Sequence, residues 1–257
     1  MNRGICKYTC IAVRSMPSDK AEMVSQMLFG ESYVVLDQNE KWMLIRQDFD
    51  GYEGWISQNQ FSPLGEQEFQ FRLKNDIMPS KLLLNEAIDE DGRKTIISFG
   101  SSLSQRPDNF VVNGGNQYSL KHADPKAEST FQELISLYSA QLIGIPYLWG
   151  GRTVFGLDCS GLTQLIFKVC GIRIYRDAFQ QATQGETVDF IDEAQPGDLA
   201  FFDNQEGAII HTGMILTNGQ IIHASGSARI DHIDHQGIYN NSLQKYTHTL
   251  RLIKRIH

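Results

Sequence analysis

Cys159 stands in the run Asp158-Cys159-Ser160-Gly161, just after the glycine-containing stretch Trp149-Gly150-Gly151-Arg152 and before the apolar stripe Leu162, Leu165, Ile166 and Val169. A thiol is a useful nucleophile as its thiolate. At a helix start, unpaired backbone N–H groups and the helix dipole favour negative charge on sulfur. The same N–H groups can hold the oxyanion of an acyl-transfer intermediate, and Gly161 leaves room for a substrate backbone. The alternative is a buried structural cysteine, the commoner state of a free thiol. The partner set counts against that alternative. His211 opens the strand-like run His-Thr-Gly-Met-Ile-Leu, and His223 lies in the next, Gln-Ile-Ile-His-Ala-Ser. Two histidines on adjacent strands of one hairpin can act as a base and its orienter.

The connection between those strands decides whether they meet. If Asn218-Gly219 is a two-residue turn, 217 pairs with 220 and the histidines face opposite sides of the sheet. If Gly219 is the bulge of a three-residue loop, 216 pairs with 220 and 213 with 223. His211 and His223 then share a face as diagonal neighbours, and a catalytic role demands this second arrangement.

Other elements must hold these groups in place. From Tyr8 to Phe61, short β-rich runs (Ser32–Asp37, Trp42–Gln47, Tyr52–Ile56) alternate with turn signals such as Asp50-Gly51, a texture that predicts a small barrel. Residues 62–124 predict a second small β domain, with strands at Lys81–Ala87, Thr95–Phe99 and Asn109–Val112, and a linker at His122–Pro125. At Ser129 the period changes. Phe131, Leu134, Ile135, Leu137, Tyr138 and Leu142 form one helical stripe, with Ser129 or Thr130 as N-cap and Gly144 and Pro146 as stops. The stripe after Cys159 ends at Gly171. Strands follow at Asp198–Phe202, His211–Leu216, Gln220–Ala224 and Thr247–Ile256, which makes this region α+β.

Five runs taken together, Tyr147-x-Trp149-Gly-Gly, Asp158-Cys-Ser-Gly161, Pro196-Gly-Asp-Leu199, His211-Thr-Gly-Met and Ile222-His-Ala-Ser225, resemble the successive motifs of the NlpC-type cysteine peptidases. Val13-Arg-Ser15, Pro17-Ser18, Glu22-Met23, Gly30-Glu31, Trp42 and Tyr52-x-Gly-Trp55 resemble the bacterial SH3-like domains fused ahead of one branch of that family. The resemblance implies a papain-like α+β peptidase domain over 125–257, an SH3-like barrel over 1–62 and a second over 63–124. It implies Cys159 as nucleophile, His211 as base and His223 as its orienter, with Tyr147 assisting the oxyanion; a packing role under the turn is the other reading of Tyr147. The branch cleaves γ-D-glutamyl–L-diamino acid bonds in stem peptides with a free N-terminal L-Ala. By that analogy Asp158, Glu22 and Tyr52 recognise the ammonium end, while Trp149 and Ser160 line the same pocket. One departure stands out: the family's Arg-Asp-Ser is replaced here by Arg176-Asp177-Ala178.

Composition bounds the partners. With 41% apolar and 21% charged residues the chain is of ordinary globular type, and its net charge of -7 argues against a nucleic-acid partner and against anionic wall polymers. Four cysteines in 257 residues are too few for a disulfide scaffold. Cys6 and Cys10 lack further ligands at zinc spacing, and the cluster Asp231-His232-Ile233-Asp234-His235 reads as a solvated loop, so neither metal nor cofactor is expected. No apolar run reaches membrane-spanning length and the first residues lack the apolar core of a signal peptide, so a cytoplasmic protein is expected, or a periplasmic or secreted one if a leader has been removed. The expected partner is a peptidoglycan-derived peptide, L-Ala-γ-D-Glu-diamino acid, met in muropeptide recycling. Two rivals use the same residues differently. One is an acyltransferase or amidase with this Cys–His machinery, the other a non-catalytic wall-binding protein, against which the intact Cys159, His211 and His223 count.

Overall fold

Short runs with alternating burial build the first part of the chain: Cys10-Ile-Ala-Val-Arg14 buries Ile11 and Val13 and leaves the residues between them half-exposed. The computed structural model describes residues 2–75, 77–104, 110–123 and 129–256. Its contacts divide the chain into two compact units, Met1–Ala127 with Trp149–Val154, and Glu128–Leu148 with Phe155–His257.

In the first unit, β1 (Arg3–Ile5), β2 (Cys10–Arg14), β3 (Met23–Leu28), β4 (Ser32–Gln38), β5 (Trp42–Gln47) and β6 (Glu53–Ser57) form an antiparallel sheet in the order β1-β4-β5-β6-β2-β3. Ile11, Val13, Met27, Tyr33, Met43, Ile45 and Ile56 pack together as its core. The strands expected at 32–37, 42–47 and 52–56 are β4, β5 and β6. A helix then appears where only strands were expected: α1 (Glu66–Lys74). It buries no residue, so no apolar stripe betrays it; Glu66 and Glu68 in its first turn and Arg72 and Lys74 in its last suit the helix dipole. A four-stranded sheet follows, with β7 (Leu84–Asp89), β8 (Lys94–Ser98), β9 (Phe110–Asn113) and β10 (Asn116–Leu120) in the order β9-β10-β7-β8. Phe29 stands edge-on to Tyr118 at 5.5 Å in the core of this sheet. Asn109, expected in β9, and Asp124 and Pro125 of the expected linker lie outside the described residues.

The second unit opens with α2 (Phe131–Leu142), capped by Thr130: its hydroxyl accepts from the Glu133 N–H while the Glu133 carboxylate accepts from the Thr130 N–H. The next helix, α3 (Cys159–Val169), is buried along its whole length. After the short α4 (Ala178–Gln181) come β11 (Glu186–Val188), β12 (Leu199–Asp203), β13 (Ile209–Ile215), β14 (Gln220–Ser225), β15 (Ser227–Ile233), β16 (Gly237–Asn240) and β17 (Lys245–Arg255). Their order is β11-β17-β12-β13-β14-β15-β16, and β17 also pairs with β16, which closes six of the strands into a ring. Phe202, Ile215, Ile221, Ile233, Ile238 and Ile253 pack within it. Among the described residues no helix is long and apolar enough to cross a membrane.

Closure depends on Gly237, whose φ is +138° and whose added Cβ would lie 1.8 Å from the carbonyl oxygen of His248 on the facing strand. Backbone cannot give way as a flexible side chain can. Gly237→Ala is expected to destabilise the protein by at least about 3 kcal/mol, beyond ordinary overpacking, measured by urea unfolding. A loss under about 1 kcal/mol would show that the ring closes without this contact.

Candidate active site

The hairpin between β13 and β14 takes the bulged form. Asn218 and Gly219 both adopt left-handed backbone, with φ of 60° and 66°. The Leu216 N–H donates to the Gln220 carbonyl at 2.8 Å, and Gly213 pairs with His223. His211 and His223 therefore share a face, and His211 Nε2 lies 2.9 Å from His223 Nδ1. Their rows also contain Ile215 and Ile221, so the pair grows out of the apolar filling of the ring and is itself buried.

Cys159 begins α3 as expected, with Asp158 as N-cap accepting from the Gly161 N–H at 2.6 Å. The thiol is 7% exposed. Burial and the neighbouring Asp158 carboxylate push it up to about 11, against the opposing pull of the Thr212 N–H, Arg176 and the Ser160 N–H. The helix start alone predicts a thiolate; here burial and the Asp158 carboxylate outweigh Arg176 and the hydrogen bonds to the sulfur and favour the thiol. The Thr212 N–H that bonds this sulfur belongs to the residue after His211. Burial likewise drives His211 well below the ordinary histidine range, with His248 and His223 adding to the effect. Thiol and imidazole are thus both neutral at rest.

Behind the histidines the line continues. His223 Nε2 lies 2.9 Å from Asp231 Oδ2. Arg229 clamps the same carboxylate through Nε at 2.6 Å and Nη2 at 2.8 Å. Burial pushes Asp231 up, but the hydrogen bonds from Arg229 and His223 prevail and hold it below the usual carboxylate range. The solvated loop expected at 231–235 is corrected here: Asp231 is buried on β15. In β15, Asp231 has the same strand parity as the buried Ile233. That alternation is the signal the sequence carries, and it becomes decisive once Ser225-Gly226-Ser227 turns β14 back into β15.

His248, on β17, was also missed. Its ring stacks on that of His211 at 4.2 Å and 23°. Burial, reinforced by His223, lowers it to about 4. Nitrogens of His211, His223 and His248 all come within 4.8 Å of one another. They do not converge on a common point as metal ligands would: His211 and His223 point at each other, His223 points its second nitrogen at Asp231, and the stacked His248 ring runs alongside His211.

The remaining expected residues fall into two groups. In the second unit, Asp158 is held by Arg176, with Nη2–Oδ2 at 2.6 Å and Nη1–Oδ1 at 3.0 Å, and Arg176 also donates to the Ser160 hydroxyl at 2.9 Å. All three are buried. The Tyr147 hydroxyl is pushed up to about 12, first by burial and then by Cys159 and Asp158, so it remains a proton donor. In the first unit, the exposed Trp149 indole donates to the Glu22 carboxylate, and Arg152 in the same segment forms a buried ion pair with Glu31. Tyr52 is half-exposed in the β5–β6 turn, where its N–H donates to Asp50.

Residues 144–251 match the NlpC/P60 family, and residues 13–61 match the bacterial dipeptidyl-peptidase SH3 domain. Over 217 residues the chain is 30% identical to a gamma-D-glutamyl-L-lysine dipeptidyl-peptidase of Bacillus subtilis, covering 78% of this chain and 71% of that protein. A Bacillus cereus protein of the same name is 27% identical, with 81% and 69% covered. A crystal structure of an NlpC/P60 family protein from Bacillus cereus superposes with a TM-score of 0.80 at 19% identity, over 98% of this chain and 99% of that one.

The partly buried imidazole of His248 bears on stability. His248 ionises near 4 in the folded protein and near 6.5 when unfolded, so between those values the unfolded chain takes up a proton that the folded one refuses. Stability is therefore expected to fall as pH drops from about 6.5 toward 4. His248→Asn should make that decline shallower in urea titrations at stepped pH. Equal slopes in the two proteins would contradict a neutral, partly buried His248.

Proposed function

Because the chain belongs to the NlpC/P60 family and is a cysteine peptidase, we propose that it hydrolyses the γ-D-glutamyl–L-diamino acid bond of peptidoglycan stem peptides with a free N-terminal L-Ala, in muropeptide recycling. The observation that carries the chemistry is the buried thiol at the start of α3, hydrogen-bonded to the N–H beside His211, with His223 fixed behind that imidazole. The Bacillus relatives' activity supports the choice of bond. The net charge of -7 favours small free peptides over anionic wall polymer.

Attack begins from the neutral pair. His211 takes the thiol proton as sulfur adds to the γ-glutamyl carbonyl, and Tyr147 and the N–H groups at the start of α3 stabilise the oxyanion. The imidazolium returns its proton to the leaving amine, which departs with the diamino acid and leaves a thioester on Cys159. Water then adds to the thioester with His211 again as base, releasing the γ-D-glutamyl product and the thiol. In this reading Asp158 and Ser160 serve the free ammonium end. Arg176 already pairs with Asp158, so any further cation there shares a carboxylate whose geometry is fixed.

Cys159→Ala should abolish hydrolysis of L-Ala-γ-D-Glu-L-Lys with the fold intact, and His211→Ala should cost about 10²–10⁴-fold in rate. Acetylating the L-Ala amine should lower kcat/KM by at least about 10²-fold, the scale seen when buried polar groups lose their partner. Mass spectrometry of the products reads all three. Equal cleavage of free and acetylated peptide would overturn the substrate assignment, and activity in Cys159→Ala would overturn the mechanism.

A further inference from the structure

Two nitrogens of a neutral imidazole differ: one carries a proton and donates, the other accepts, and which is which must be set by a neighbour. A hydrogen bond between His211 and His223 leaves that choice open, because either ring can be donor. Asp231 removes the ambiguity. Arg229 reaches both of its oxygens and keeps the buried carboxylate ionised, and an ionised carboxylate can only accept. His223 must then carry its proton on Nε2, facing Asp231 at 2.9 Å. Its Nδ1 is left as acceptor, so His211 must donate from Nε2. The bare lone pair of His211 is thereby placed on Nδ1, the nitrogen with no partner along the line.

We propose that Asp231, clamped by Arg229, is a positioning residue that sets the tautomers of His223 and His211 in turn and so leaves His211 able to take the Cys159 proton. This rests on Cys159 and His211 being nucleophile and base, but not on which bond is cleaved. Register supports it independently. His223 pairs with Arg229 and Ile221 with Asp231, which makes Asp231 the diagonal neighbour of His223 on the same face, as His223 is of His211. Three successive strands thus each supply one member of the line. When His211 becomes an imidazolium, the groups facing it are the neutral His223 and His248 and, one residue further, the anionic Asp231. The carboxylate therefore also supplies the nearest fixed negative charge in the line.

The test needs no peptide substrate. Iodoacetamide alkylation of Cys159, resolved by peptide mass spectrometry from Cys6, Cys10 and Cys170, reports deprotonation of the thiol, and long-range ¹H–¹⁵N spectra of the histidine rings report the tautomers. Asp231→Leu should slow Cys159 alkylation about 10-fold and move the His223 proton from Nε2 to Nδ1. Asp231→Asn keeps the size but brings an amide donor that no longer fixes the His223 proton on Nε2, so it should slow alkylation as well. In a His223→Gln background, Asp231→Leu should have no further effect, whereas a merely structural loss would add. Arg229→Met should act in the same direction with a smaller effect, and it carries the test if Asp231→Leu does not fold. An alkylation rate within about 2-fold of the original in both the Asp231→Leu and the Arg229→Met proteins would overturn the proposal. So would an unmoved His223 proton, or equal losses with and without His223. If alkylation and tautomers behave as expected while the stem peptide is not cleaved, the substrate assignment fails and the role of Asp231 stands.

Discussion

Two left-handed residues, Asn218 and Gly219, set the register of one hairpin, and nearly everything chemical in the second unit depends on that register. A strand alternates its side chains with a period of two, so a shift of one residue would turn His223 to the opposite face. Asparagine and glycine are the residues that tolerate positive φ, which is why the extra residue can be held there at little cost. With 213 opposite 223, two imidazoles come within hydrogen-bond distance. The next hairpin repeats the geometry with Asp231. Gly213 completes the arrangement: a Cβ there would come within 2.9 Å of the His223 Cβ, so its bare backbone leaves room for the imidazole pair.

Burial of this line has a consequence for the chemistry. A helix start is usually invoked to make a thiolate, yet the surroundings of Cys159 are dry enough, and Asp158 close enough, to keep the thiol protonated. His211 is kept neutral by the same desolvation. In the proposed mechanism a single proton then passes from this thiol to His211 at the moment of attack. Asp158 is drawn into a different task. It caps α3 and grips Arg176, which in turn holds the Ser160 hydroxyl, so the first turn of α3 is held by charge as well as by packing. Buried pairs of this kind are strongly destabilised if one partner is lost, which ties the integrity of the site to the fold.

Much of this was legible in the amino-acid order alone. Cys159 at a helix start, His211 and His223 on consecutive strands, the Thr130 or Ser129 cap and the α+β character all follow from local periodicity and turn chemistry, because such features are decided within a few residues of chain. The hairpin could be reduced to two alternatives and no further, since Asn-Gly suits either turn. Tertiary structure chose between them by pairing Gly213 with His223. It also decided what no local pattern carries: that a helix with no buried face follows β6, that His248 comes to stack on His211 from a strand 37 positions away in the chain's numbering, and that Asp231, one acid in a polar run, is buried against His223. Ionisation states belong to the same class. They depend on how much water the whole assembly excludes and on which charges it brings together, and those are sums over the folded molecule rather than properties of any segment.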